Sequence, residues 1–165
     1  MLAGCGGSKT PASTATTTQT PSLHAAEQKV FGNAYANPVY NQTPWAVIQI
    51  GRGASAKAVV FHLVGGAWVV DRSDAVQVGI LGPQPGTTQK AITQIAISVK
   101  SLATVTQTAL FLDGRFLPGK VAGTPHNYTE YSAPTHALAK GVHVVIGFGT
   151  TATHGSAVLW RYRAR

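Results

Sequence analysis

The chain contains one cysteine, Cys5, so no intramolecular disulfide can form and any exported fold must rest on its hydrophobic core. Charge is also scarce: Asp, Glu, Lys and Arg make up 11% of the residues, against about 25% in ordinary soluble chains. Acids are scarcest, at five, which leaves a paired-carboxylate hydrolase few candidates. Asp71 and Asp74 flank a turn, Asp113 belongs to a hairpin signal, Glu27 to a short helix and Glu130 to a polar connection. No Gly-x-Ser-x-Gly elbow is present. The histidines (His24, His62, His126, His136, His143 and His154) include no His-x-His or His-x-x-x-His, and no cysteine pair accompanies them, so no metal site is expected. "GRGASAK" at 51–57 lacks phosphate-loop spacing. No apolar run is long enough for a membrane-spanning helix, and no helix-turn-helix, zinc-finger or aromatic-basic RNA signature occurs. The expectation is a protein with no catalytic residues, no cofactor and no nucleic-acid partner.

What is present begins at the N-terminus. Residues 2–5, Leu-Ala-Gly-Cys, are followed by Gly6-Gly7 and then by a run to residue 22, GGSKTPASTATTTQTPS, without a large apolar side chain. Such a Thr/Ser/Pro-rich run buries too little surface to order, so residues 1–22 read as a residual signal and a disordered linker. The tetrapeptide resembles the lipobox of bacterial lipoprotein signals at all four positions. That resemblance implies lipid attachment at Cys5, a membrane as partner, and an outward-facing place in a bacterial cell envelope. A signal peptide also needs a basic region and an apolar run of about 7–15 residues before the site. The expectation is therefore a true start upstream of Met1.

The rest reads as nearly all β. Residues 23–30 suit a short helix, broken by Gly32, Asn33, Asn37 and Pro38. Three strands follow at 45–50, 58–64 and 67–70, the last two joined by Gly65-Gly66. With the helix they make a small β-meander over residues 23–74. Beyond it, strands are predicted at 76–81 and 92–99. Asp113-Gly114 joins 109–112 to 115–117 in a hairpin. In 142–148, Val142, Val144, Ile146 and Phe148 share one face, which leaves His143 opposite as an exposed or edge histidine. In 158–165, Val158, Trp160, Tyr162 and Ala164 face inward while Arg161, Arg163 and Arg165 face water.

Seven or more short strands with regular turns point to a β-sandwich over residues 75–165. The carrying stretches are "VQVGILGPQP" from Val76, "LFLDGR" from Leu110, "LAKGVHV" from Leu138 and "VLWRY" from Val158. Together they resemble the immunoglobulin-like domains of bacterial envelope proteins. That resemblance implies an Ig-like fold and leaves the ligand open, because such domains serve as spacers, adhesins and binding modules.

The segment 118–137 is polar, long for a connection inside a sandwich, and carries Tyr128 and Tyr131. It is the candidate binding loop, with the alternative that the two tyrosines line a further strand. The leading expectation is a lipid-anchored envelope protein with a binding, adhesion or scaffolding role toward an unknown envelope protein or polymer. The net charge of +8 supports an alternative, a cationic module for anionic wall polymer or lipid headgroups. An envelope hydrolase ranks behind both.

Overall fold

The computed structural model describes residues 22–90, 92–124, 128–136 and 138–165. Cys5 and nearly all of the expected linker lie outside them. The described chain opens with helix α1 (Leu23–Phe31), where the Ser22 hydroxyl accepts the Ala25 N–H. The helix ends at Gly32, whose φ of 59° is the left-handed conformation glycine adopts most readily.

Strands β1 (Ala36–Gln42), β2 (Trp45–Ile50), β3 (Lys57–Val64) and β4 (Ala67–Val70) follow as an antiparallel sheet in chain order. The sequence pattern predicts three strands here, and the structure has four. Asn37 and Pro38 read as breakers, yet both belong to β1. That strand lies at the sheet edge, where proline's missing N–H removes no ladder bond on the open side.

The remaining strands build a two-sheet sandwich. One sheet holds β5 (Val76–Gly82), β7 (Gln94–Ser101), β10 (Lys120–Thr124) and β11 (Tyr128–Pro134), ordered β10-β11-β7-β5. The other holds β6 (Thr88–Gln89), β8 (Gln107–Leu112), β9 (Arg115–Leu117), β12 (Gly141–Thr150) and β13 (Gly155–Ala164), ordered β6-β13-β12-β8-β9. All pairs are antiparallel except β6 with β13. Lettered along the chain from β5 as A, the first sheet runs D-E-B-A. The second is built on C, F and G, which is the strand order of an immunoglobulin sandwich.

Three apolar interiors stack through the molecule. Between the sandwich sheets lie Ile95, Ile97, Val99, Leu110, Val145, Trp160 and Tyr162. Trp45, Val47 and Val60 of the meander sheet pack against Phe111, Ile146 and Phe148 of the five-stranded sheet. On the meander's other face, Leu23 of α1 meets Ala46, Ile48, Ile50 and Phe61. The five-stranded sheet is thus covered on both faces along much of its length. Asp71 ties the two halves together by accepting the Gly155 N–H at 2.8 Å. A Cβ at Gly155 would stand 2.9 Å from the Trp45 ring, so the halves meet closely there.

This double covering corrects one expectation. Val142, Val144, Ile146 and Phe148 do share a face, but it is the one turned toward the meander, which leaves Val142 half exposed. His143 therefore points into the sandwich and is buried at 8% exposure. Alternation identifies a face; it does not say which face is wetter when both are covered. On β13 Trp160, Tyr162 and Ala164 are buried and Val158 is half-buried against the same interior, while Arg163 and Arg165 are exposed and Arg161, expected to face water, is half-buried.

Candidate functional site

Each sheet ends in an edge strand on the same side of the molecule: β1, β9 and β10. They converge on a groove of about 680 Å³. Strand β9 is the reason the groove exists. It pairs with Leu110–Leu112 only, so among the described residues nothing covers the outer edge of β8 at 107–109. The groove runs across that uncovered stretch, from β1 on one side to Val121 and Thr129 of the β10–β11 hairpin on the other.

Its walls are aromatic. The Tyr40 ring lies 5.3 Å from Phe148 and 6.1 Å from Phe111, and Phe111 meets Phe116 edge-on at 6.0 Å. These spacings are those of favourable aromatic pairs. Phe116 keeps 56% of its surface exposed, and neighbouring Val121 keeps 61%. Large apolar side chains that open to water beside a concave wall are unusual in a monomer and are informative for that reason.

Between the rings stand neutral polar groups. The Tyr40 hydroxyl lies 3.3 Å from the amide oxygens of both Gln42 and Gln107, and no protein acceptor among the described residues meets either amide nitrogen. Asn41 and Thr108 complete the rim, and the Thr106 hydroxyl is engaged by Thr150. Thr129 also lines the groove. Its side chain is 3% exposed, and its Oγ1 has no hydrogen-bond partner. A buried hydroxyl left unpaired costs about 1–3 kcal/mol, so it marks a place where a further polar atom would be welcome. Among the described residues no Asp, Glu, His, Lys, Arg, Ser or Cys lines the groove, so its described lining holds no general acid–base pair and no serine or cysteine nucleophile.

The expected binding segment, 118–137, is largely two paired strands rather than an open loop, so the strand alternative for its tyrosines is the observed one. Tyr131 is a core residue at 5% exposure, with its hydroxyl donated to the Leu117 carbonyl at 2.9 Å; burial raises its pKa. Tyr128 is half-buried and donates to Glu130 Oε1 at 2.6 Å, and that bond is the main cause of its raised pKa. Neither lines the groove. The hairpin contributes Val121 and Thr129 instead. Both fall inside the expected segment, though not at its tyrosines, whereas Tyr40 and Phe116 lie outside it. The sequence signal at Tyr40 is an aromatic beside neutral amides; Phe116, between Arg115 and Leu117, has none.

Away from the groove, the buried His143 pairs with Asp113, whose side chain is about half exposed at the β8–β9 turn. Asp113, at the β8–β9 turn with φ of 50°, accepts the Val144 N–H at 2.9 Å and faces His143 Nδ1 at 2.8 Å. The Ala139 carbonyl stands 2.8 Å from Nε2. Both ring nitrogens face acceptors, so only the doubly protonated imidazolium satisfies both contacts. Burial by itself lowers the His143 pKa, but the bonds to Asp113 and Ala139 and the Asp113 charge outweigh it, and the net shift is upward. Tyr162, beside this pair, is pushed up to about 12 by burial and then by Asp113, and its hydroxyl is unpartnered. Among the described residues no cluster of His, Cys, Asp and Glu has metal-holding geometry, and no helix is long and apolar enough to cross a membrane.

No family model and no curated protein matches the chain. Among solved structures it is similar to the X-ray structure of the endo-beta-1,4-mannanase from Thermotoga petrophila, with 9% identity and a TM-score of 0.42. The match covers 55% of this chain and 20% of that one, so the chain spans about a fifth of the enzyme's length.

Proposed function

We propose that the protein is a non-catalytic binding module of a bacterial cell envelope, held to the membrane by a lipid on Cys5 and displaying its groove outward. One observation carries the binding role: the aromatic groove across the uncovered edge of β8, with no acid–base pair in its lining. Ligand sites are concave, mostly apolar and equipped with a few convergent polar groups, and about 300–1,000 Å³ is their usual size. The anchor rests on Leu2-Ala3-Gly4-Cys5 and the Thr/Pro-rich run after it. Two measurements test the proposal separately. Co-sedimentation of the full chain with purified envelope should fall at least about tenfold in Phe116→Ala, a loss of about 1.4 kcal/mol. Retention unchanged in that variant removes the groove from the function. For the anchor, the gene with its natural upstream region should give a protein labelled by an alkyne fatty acid. Label that persists in Cys5→Ser rules Cys5 out.

A second reading has its own observation. The ion pairs among the described residues all use histidine: His24–Glu27, His143–Asp113 and His154–Asp71. No described lysine or arginine is matched to a carboxylate, so the chain's excess of positive charge is free to meet an anionic wall polymer or headgroup. On this reading envelope retention collapses between low and high salt, because exposed charges are screened within about 10 Å at 0.1 M. Retention that ignores salt leaves the groove as the sole determinant.

A further inference from the structure

The groove's lining constrains what it can hold. In a chain of net charge +8, it carries no charged side chain among the described residues. An anionic ligand would find no counter-charge there, and a cationic one no carboxylate. An alkyl chain would cover the rings but strand the amide nitrogens of Gln42 and Gln107 and the Thr129 hydroxyl without partners. An extended peptide needs a free strand edge to pair with. The uncovered part of β8 is only 107–109, and β1 opposite carries Pro38 and a register shift between Pro38 and Tyr40. What remains is a ligand that presents apolar C–H faces to the rings and, around its rim, groups that both donate and accept hydrogen bonds. A sugar ring has both: axial C–H bonds on its faces and hydroxyls at its edge.

We propose that the groove binds an uncharged, hydroxyl-rich carbohydrate, with rings stacked on Tyr40 and Phe116 and one hydroxyl hydrogen-bonded to Thr129 Oγ1. This rests on the groove being the binding site of the preceding section and names the ligand class it takes. Thr129 is the independent observation. Thr129 lines the groove and its hydroxyl is buried and unpartnered, so a ligand oxygen that displaces its cover completes it without breaking a protein hydrogen bond. Tyr40 donates its one proton to the amide oxygen of Gln42 or Gln107, and that amide keeps its nitrogen free to donate to a ligand.

The test uses the full chain with three neutral probes, cellohexaose, maltohexaose and chitohexaose. Titration calorimetry reads affinity, and saturation-transfer NMR reads which sugar protons lie against the protein. The expected result is binding of at least one probe, with transfer strongest to ring C–H protons. Phe116→Ala and Thr129→Val should each weaken it about tenfold. The valine swap separates ligand binding from a structural role. It keeps the shape and removes an unsatisfied hydroxyl, so melting temperature should hold or rise while affinity falls. A structural hydroxyl would lose stability instead. Absence of binding by all three probes overturns the proposal, as does binding that neither variant weakens. If the probes fail while envelope retention still depends on Phe116, the carbohydrate assignment falls and the groove reading stands. If a tryptic envelope peptide competes for the groove and no sugar does, the occupant is a peptide strand.

Discussion

Phe148 and Gly149 are consecutive residues of β12 and face opposite interiors, and they make opposite demands. Gly149 looks into the sandwich, where a Cβ would stand 2.6 Å from both methyls of Val99; at Gly147 one would stand 2.7 Å from Ile97. The two sheets approach there as closely as backbone and β-branched side chains allow. Phe148 looks toward the meander, fully buried, with Tyr40 tilted against it. One interior is filled to its limit. The other depends on large rings and opens at β8 into the groove. Side-chain volume at neighbouring positions sets how closely the sheets approach, and the short β9 leaves the second interior open.

Substitution at these two positions probes the contrast directly. Phe148→Ala removes the ring that backs the groove and joins the meander to the sandwich, and should cost about 3–5 kcal/mol. Chemical denaturation reads this as a lowered midpoint. A cost below about 1 kcal/mol would show the second interior to be loosely filled. Gly149→Ala adds a single carbon to the full interior and should cost about 1–3 kcal/mol through overpacking. A neutral or stabilising result would mean that the sheets can separate at no cost, and the contrast would dissolve. Smaller still is Phe116→Ala, at the open mouth. With over half its surface in water, its loss should change stability by no more than about 0.5 kcal/mol. Heat denaturation of that variant alongside wild type checks that its effect on retention is not a folding defect.

The closed interior was far more legible in the sequence than the open one. Trp160, Tyr162 and Ala164 alternate with arginines, and Asp113-Gly114 announces its hairpin, so strand identity and inward face follow from period and turn chemistry alone. The groove follows from neither. Tyr40 sits on a strand that Asn37 and Pro38 disguise, because breaker residues are tolerated at a sheet edge and the sequence does not reveal where an edge lies. Thr129 lies in the polar segment expected to be a binding loop, and it becomes a buried orphan once β11 pairs with β7. The groove itself arises from a mismatch in strand length, β9 against β8, between segments distant in sequence from β1. No local pattern encodes that. The same limit misplaced His143, whose alternation with valines gave the period correctly and left the covering of both faces invisible.

His143 gives the finest discrimination between the two regions, because the closed interior includes a buried histidine paired to Asp113 at its surface and the described lining of the groove has no such pair. Its folded pKa is raised above the ordinary 6.5, so its contribution to stability is fully present below that value. As pH rises through the raised folded value, the imidazolium loses a proton, one of its two acceptors loses its donor, and the contribution is lost. Stability measured by denaturation should therefore decline from near pH 6.5 upward. Asp113→Asn removes the charge and the carboxylate bond that hold the proton, which leaves only the Ala139 bond against burial, so the folded pKa falls and the decline should shrink, or turn into a rise with pH once it passes below the ordinary value. Asparagine tolerates the left-handed conformation at that turn, so the hairpin is kept. Ligand retention by the groove, whose described lining holds no group titrating between pH 5 and 8, should stay level across the same range. A retention profile that followed the stability profile would mean that the two interiors are coupled through β12, and that the groove's shape depends on a proton at the far end of the sandwich.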